Sequence, residues 1–302
     1  MKRVRLIANS NAGGVRAGTQ DIVTGAFAGR NLEVDIAVTG ARGDATSLAR
    51  DAVAANVDAV IALGGDGTVN EVAQALVHTD VALGIIPVGT TNVMARAIGI
   101  PLDVEEASAV LASRLESESK TRVNVGRFGE RYFLFGAGMG LDAEVVRLVE
   151  ADPDRKRKHQ HLFFVQQAVI AAHRYRRASP TITMKADGGR MQRVVLAVCA
   201  NAGPFTYFHG HPVGVFPEVQ LQEGLDVFGL SRIGIWTIPR MAWAFFVSGA
   251  HTRWSASHYH HDIRSLELRA DVPLPVEVDG DYVGEWDEAD VTLVPLALDL
   301  LF

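Results

Sequence analysis

Apolar runs and helical repeats alternate along the first hundred residues. Residues 4–9 form a short apolar run that reads as a strand, followed by the loop Ser10-Asn11-Ala12-Gly13-Gly14. Residues 18–29 suit a helix. Residues 33–38 alternate with the period of a strand, residues 44–56 are Ala-rich and helical, and residues 57–63 are continuously apolar. Such a run fits a strand buried on both faces. After Leu63 the period changes. Val69, Val72, Ala73, Leu76 and Val77 share one helical face, and Thr68 with Glu71 fits a capping box with Thr68 as the N-cap. Residues 81–86 are the next buried strand. A short helix is expected over residues 92–98, stopped by Gly99 and Pro101. Asp103 and Glu106 form a second capping box, opening a helix to residue 115. Strands that alternate with helices imply a parallel sheet with helices packed on it.

The texture changes after about residue 120. Short strand-like runs occupy residues 121–128, 132–137, 181–186, 193–200, 225–230, 263–269 and 275–278, with turns such as Asp187-Gly188-Gly189 between them. Many short strands point to a sandwich-like β domain. One helix, residues 160–177, interrupts it. The expected division is therefore residues 1–122 as an α/β domain and residues 123–290 as a β domain. The apolar segment 291–302 is expected to pack back on the first domain.

Composition narrows the function classes. The chain has 302 residues, 48% hydrophobic and 21% charged, a globular balance rather than a disordered one. A formal charge of -6 does not suit a nucleic-acid binder. The single cysteine, Cys199, precludes an intramolecular disulfide or a thiolate metal cluster. It lies beside the apolar run Val194-Val195-Leu196-Ala197-Val198 and reads as a buried small hydrophobe. No apolar run reaches the roughly 18 residues of a membrane span, and residues 4–8 are too short for a signal-peptide core. A cytoplasmic location is expected.

The candidate chemistry lies at strand ends. Gly64-Gly65-Asp66-Gly67-Thr68 joins a buried strand directly to a helix. A helix start offers unpaired N–H groups and a positive dipole end, and glycines let a phosphate approach the backbone. Asp66 adds a carboxylate where phosphate-bound Mg²⁺ would sit. No Walker A spacing occurs, and Gly136-Ala137-Gly138-Met139-Gly140 reads as a close-packed bend. Pro87-Val88-Gly89-Thr90-Thr91-Asn92 ends the next buried strand. In a parallel sheet the loops 9–14, 64–68 and 87–92 converge at one edge.

Three motifs together resemble the diacylglycerol kinase catalytic family, which includes bacterial lipid kinases and sphingosine kinases. They are Asn9-x-x-Ala12-Gly13, Gly64-Gly65-Asp66-Gly67-Thr68-x-Asn70-Glu71 and Pro87-x-Gly89-Thr90-x-Asn92-x-x-Ala95-Arg96. Order and spacing agree, and the resemblance runs over nearly the whole chain. It implies an α/β fold with an N-terminal Rossmann-like parallel-sheet nucleotide domain and a C-terminal β-sandwich domain, with ATP and Mg²⁺ as cofactors. The nucleotide contacts it implies are Asn9, Asn11, Gly13, Thr39, Gly64, Gly65, Gly67, Thr68, Asn70, Glu71, Gly89, Thr90 and Asn92.

Asp279-Gly280-Asp281 resembles the family's Asp-Gly-Glu element. That implies Asp279 as general base for a lipid hydroxyl, with Asp281 beside it in the catalytic set. Sphingosine kinases give the base role to the acid that matches Asp66, which is therefore the second candidate and a metal organiser. Leu221-Gln222-Glu223-Gly224-Leu225-Asp226-Val227 resembles the family's acidic Asp-Gly turn, implying Glu223 as a ligand of a structural Mg²⁺. Gln222 stands where an acid is common, and Glu223 where Asp is more usual. The implied reaction moves the γ-phosphate of ATP to a lipid hydroxyl, diacylglycerol to phosphatidic acid by default, during peripheral contact with a membrane. A homodimer is left open.

Other features admit two readings. Arg155-Lys156-Arg157-Lys158-His159 precedes Leu162, Phe163, Phe164, Val165, Val169 and Ile170, and Arg174, Arg176 and Arg177 follow. This suits an anionic membrane surface and equally a packed helix with solvated ends. Phe205, Tyr207 and Phe208 suit an acyl pocket or a core. His209 and His211, and His258, His260 and His261, lack a third ligand at a recognised metal spacing. The rival functions are a NAD kinase, which shares the Gly-Gly-Asp-Gly loop, and a non-catalytic lipid- or nucleotide-binding protein. No Thr-Pro-Thr-Gly-Ser-Thr-like segment accompanies the loop here.

Overall fold

Strand β1 (Lys2–Asn9) pairs in parallel with β2 (Leu32–Thr39) on one side and β3 (Ala59–Gly64) on the other. β4 (Ala82–Pro87) extends the sheet beyond β3, and Leu300 near the C-terminus pairs in parallel with Leu83. The order is thus β2-β1-β3-β4 and then the C-terminal segment. The chain leaves β1 in one direction and comes back on its other side as β3. Helices α1 (Thr19–Phe27), α2 (Asp44–Ala54), α3 (Asp66–Leu76), α4 (Val93–Ala97) and α5 (Val104–Glu116) connect the strands. α1 packs with α5, and α2 with α3. Right-handed crossovers put these pairs on opposite faces. Every residue of β3 and β4 is buried, as two-sided cover requires.

This structure, a computed structural model, describes residues 1–10, 18–28, 30, 32–178, 181–208, 210–234, 236–245 and 249–302. The chain forms two compact units, residues 1–125 with 294–302, and residues 126–293.

Two local expectations for the first unit change. α3 begins at Asp66 with Gly65 as N-cap, so Thr68 is in the first turn rather than the cap. The glycines let the chain enter the helix as soon as the strand ends. Glu71 does not close a capping box. Its two oxygens accept from Gly43 N (2.9 Å) and Ala45 N (3.2 Å) at the start of α2. Asp103, in contrast, caps α5 by accepting from Glu105 N and Glu106 N.

Polar bonds hold the C-terminal segment in the first unit. Asp299 is buried and receives Lys120 Nζ at 2.6 Å and Arg122 Nε at 3.4 Å. Asn124 Oδ1 accepts from Leu296 N at 2.8 Å, and Ala297 O from His78 N at 2.8 Å.

β5 (Thr121–Phe128) leads into the second unit, which is rich in strands. It contains β6 (Arg131–Phe133), β7 (Gly136–Gly140), α6 (Leu141–Glu150), α7 (Pro153–Ala178), β8 (Ile182–Ala186), β9 (Gln192–Val194) and β10 (Leu196–Ala200). β11 (Thr206–Phe208), β12 (His211–Val213), β13 (Leu225–Leu230), α8 (Thr237–Trp243), β14 (Ser257–Ile263), β15 (Ser265–Val278) and β16 (Asp281–Leu300) follow. β14, β13, β10, β7, β15 and β16 pair antiparallel in that order, and β8 pairs with β15.

β10 explains the layering. Ala197 and Cys199 join a core with Phe133, Met139, Met184 and Val276. Leu196, Val198 and Ala200 face a second core with Val145, Phe163, Ala171 and Phe228, covered by α6 and α7. Phe205 and Phe208 pack on this second core. The stretch Gly136–Gly140, expected as a bend, is instead the strand β7, because it pairs with both β10 and β15. The helix expected from residue 160 starts at Pro153, since the basic residues before it are good helix formers and proline is favoured in a first turn.

Asp299→Ala is expected to lower stability by about 1.5–3 kcal/mol in urea unfolding, the range for hydrogen bonds to a charged group. A change under about 0.5 kcal/mol, the scale of an exposed ion pair, would show that the C-terminal segment does not depend on this carboxylate.

Candidate active site

The first unit brings two glycine loops into backbone contact at the carboxyl ends of β3 and β4. A Cβ on Gly89 would stand 2.6 Å from Gly65 Cα and 2.7 Å from Asn92 Oδ1. A Cβ on Gly64 would stand 2.5 Å from Thr68 Cβ. A side chain on Gly89 would force the loops apart, and one on Gly64 would collide with the first turn of α3. Asn92 holds the second loop closed from a left-handed conformation (φ 50°). Its Oδ1 accepts from Gly89 N (3.0 Å) and its Nδ2 donates to Gly89 O (2.9 Å). Asp66 ties the loops together, its Oδ1 accepting from Met94 N (3.2 Å) in the first turn of α4. Asn9 Nδ2 donates to Thr68 Oγ1 (3.0 Å), which fixes the end of β1 to α3.

The result is a polar edge at the point where the strand order reverses, between β1 and β3. Open α/β sheets bind ligands at such a point. Gly65, Asp66, Gly67 and Gly89 are half-buried and Thr90 is exposed. The start of α3 supplies backbone donors and a positive dipole end. This donor set, with room that no Cβ fills, fits a phosphate. Other expected contacts sit deeper. Thr39 and Asn70 are buried, with Thr39 O accepting from Ser10 Oγ (3.3 Å) and Asn70 Oδ1 from Gln74 Nε2 (3.2 Å). Glu71 has its carboxylate on α2. Asn11 and Gly13, with Ala12, lie outside the described residues.

In the second unit, Asp279 ends β15 in a left-handed turn (φ 49°) and is buried. Its Oδ2 accepts from Leu134 N (2.8 Å), and its Oδ1 from Phe135 N (3.0 Å) and Gly136 N (3.1 Å). Three N–H donors demand a side chain that only accepts, which a carboxylate does and an amide does not. Asp281 opens β16 and is half-buried.

Two acids beside this turn escaped the sequence reading. Glu277 is buried on β15, and its Oε2 accepts from Gly280 N (2.9 Å) within the turn. Its Oε1 is buried without a hydrogen-bond partner. Asp142, on the first turn of α6, faces it across Gly138. A Cβ on Gly138 would lie 3.2 Å from Glu277 Oε1 and 3.4 Å from Asp142 Oδ2. Burial raises the Asp142 carboxyl to about 6. Burial, then the Asp142 charge, raises Glu277 well above the ordinary carboxylate range.

The structural Mg²⁺ implied at Glu223 does not fit the residues around it. Buried Asp226 accepts from Tyr259 OH, from His261 Nδ1 (2.7 Å) and from Asp262 N (3.3 Å). The Asp226 hydrogen bond raises His261 above its ordinary value. Among the described residues no group of three His, Cys, Asp or Glu side chains is placed to hold a metal. His258 and His260 meet Ser231 Oγ (2.7 Å) and Gln192 Oε1 (2.9 Å), and His211 is exposed. His209 lies outside the described residues.

These features define an α/β unit whose paired glycine loops fit a phosphate, and an antiparallel β unit with a buried acidic turn. Residues 3–127 match the model of the diacylglycerol kinase catalytic domain. The chain is 37% identical over 155 residues to a diacylglycerol kinase of Bacillus subtilis (strain 168), 48% of each chain. It is 40% identical over 128 residues to a Chromohalobacter salexigens protein named "Probable lipid kinase YegS-like", 41% of this chain and 39% of that one. The matches thus span about half the length of these curated relatives or less. A crystal structure of a diacylglycerol kinase from Bacillus anthracis str. Sterne aligns with a TM-score of 0.75 at 22% identity, over 100% of this chain and 97% of that one. That likeness shows the shared fold.

The raised carboxyl pair carries a pH signature. Groups with raised folded values favour the folded state in acid and lose that contribution as pH rises through them. Wild-type melting temperature is expected to fall as pH rises from about 4, the ordinary carboxylate value, because Asp142, raised to about 6, and Glu277, raised well above its ordinary value, hold protons in the folded state that the unfolded chain releases. Glu277→Gln keeps an acceptor for Gly280 N and cannot ionise, so its melting curve is expected to be flatter and higher at pH 8. A variant as pH-sensitive as wild type and less stable throughout would contradict this.

Proposed function

We propose that the protein is an ATP-dependent lipid kinase that phosphorylates a lipid hydroxyl, with diacylglycerol as the favoured acceptor. The observation that carries this reading is the pair of glycine loops pressed together at the sheet edge, within the segment that matches the diacylglycerol kinase catalytic domain. Backbone N–H groups from Gly65 to Thr68 hold phosphate oxygens, and Gly89, Thr90 and Asn92 border them. Asp66 orients the Mg²⁺ that arrives with the nucleotide. ATP supplies the phosphoryl group, and its Mg²⁺ offsets charge on the phosphate oxygens.

The second unit supplies the proton acceptor. Asp279 takes the proton from the lipid hydroxyl as that oxygen bonds to the γ-phosphorus and the bond to ADP breaks. Its carboxylate is fixed by three N–H donors before substrate arrives. Positioning of this kind supplies most of the catalysis in phosphoryl transfer.

The acceptor is reached at a bilayer surface. Phe163, Gln167, Ala171 and Tyr175 form the buried face of α7. Leu162, Val165 and Val169 recur at helical spacing on its exposed face. Arg155, Arg174 and Arg176 are exposed along the same helix. Apolar and basic residues together suit an anionic lipid surface. Among the described residues no helix is long and apolar enough to cross a membrane.

The test is incubation with γ-labelled ATP and Mg²⁺, offering diacylglycerol, a sphingoid base and NAD in separate reactions. Labelled phosphatidic acid is expected. Labelled NADP would replace this reading with a NAD kinase, and no product with a binding protein. Asp279→Asn is expected to lower turnover about 10²–10⁴-fold, the usual worth of a general base. Its amide N–H would also oppose the three backbone donors, so its melting curve must be measured alongside. A folded variant within tenfold of wild type would remove Asp279 from the base role.

A further inference from the structure

The turn at Glu223 is closed by a β-bulge in the opposite strand. Leu225 of β13 faces Ile263 of β14, but Val227 faces His260, so Asp226 lies opposite two residues, His261 and Asp262. A bulge of this kind bends its strand and re-aims side chains. Asp262 takes the left-handed conformation (φ 55°). Its N–H donates to Asp226 Oδ1, and its own Oδ1 accepts from Gly224 N (2.8 Å). The turn and the bulge therefore lock each other.

The locking continues through side chains. Tyr259 and His261 are two residues apart on β14, and both reach Asp226. The second ring nitrogen of His261 lies 3.7 Å from Glu223 Oε2. The imidazole thus stands between the two carboxylates. A hard divalent cation binds through such oxygens, in a shell of six or more. Here both oxygens of Asp226 already accept protein donors, and the ring occupies the space towards Glu223.

We infer that His261 takes the place of a divalent cation in this turn, so that the second unit folds without bound Mg²⁺. The ring is hydrogen-bonded to Asp226 and faces Glu223 at ion-pair distance, and so holds β14 against the turn. The turn at Glu223 then adds no Mg²⁺ requirement of its own. This inference does not depend on the kinase reading, because it concerns the nucleotide-free fold.

Thermal melting of the full chain without nucleotide tests it, in excess EDTA and in millimolar Mg²⁺. The wild-type melting temperature is expected to be the same in both. A rise in Mg²⁺ that Glu223→Gln leaves in place arises elsewhere and also agrees with the inference. A saturable rise that Glu223→Gln abolishes overturns it. His261→Ala is expected to melt below wild type, because buried Asp226 loses a donor, and an unchanged melting temperature also overturns the inference. If that variant does not fold, the wild-type comparison remains decisive.

Discussion

The first unit depends on one close contact, the approach of Gly65 to Gly89. A side chain on Gly89 would meet Gly65 Cα at 2.6 Å, so the β3–α3 and β4–α4 loops keep their spacing only with glycine there. Other bonds depend on that spacing. Asp66 reaches Met94 N across the loops, and Asn92 closes on Gly89. Asn9 adds the end of β1 through Thr68. The parallel sheet sets where the loops meet, and the missing side chains set how closely.

The second unit relies on buried carboxylates that organise backbone. Asp279 gathers three N–H groups at the start of β7, Glu277 holds the adjoining turn, and Asp226 gathers donors from a bulge. Asp279 and Asp226 take their donors from distant segments, and Glu277 takes Gly280 N from its own turn. Unpartnered polar atoms would be costly there. Glu277 Oε1 is such an atom, and it lies beside the proposed catalytic turn.

The first unit was largely legible because its signals are local. Continuous apolar runs reveal β3 and β4, and glycines at their ends reveal the loops. The start of α3 was misread, since Thr68 and Glu71 match a capping box whose members bond elsewhere. In the second unit the decisive contacts are distant. Asp279 meets its donors 143 to 145 residues away, and only family resemblance singled it out. Glu277 alternates with valines and so looks solvent-facing. It is buried because α6 packs over that face of β15. Asp226 and His261 come together through a bulge, which no periodicity announces.

The loop contact and the proposed chemistry meet in one measurement, calorimetric titration of Mg·ATP and of adenosine into wild type and Gly89→Ala. If the glycine loops cradle phosphate, wild type binds Mg·ATP at least about tenfold tighter than adenosine, a difference of about 1.4 kcal/mol. A folded Gly89→Ala protein then loses most of that preference. Equal binding of both ligands by wild type, or an unchanged preference in the folded variant, would contradict the account.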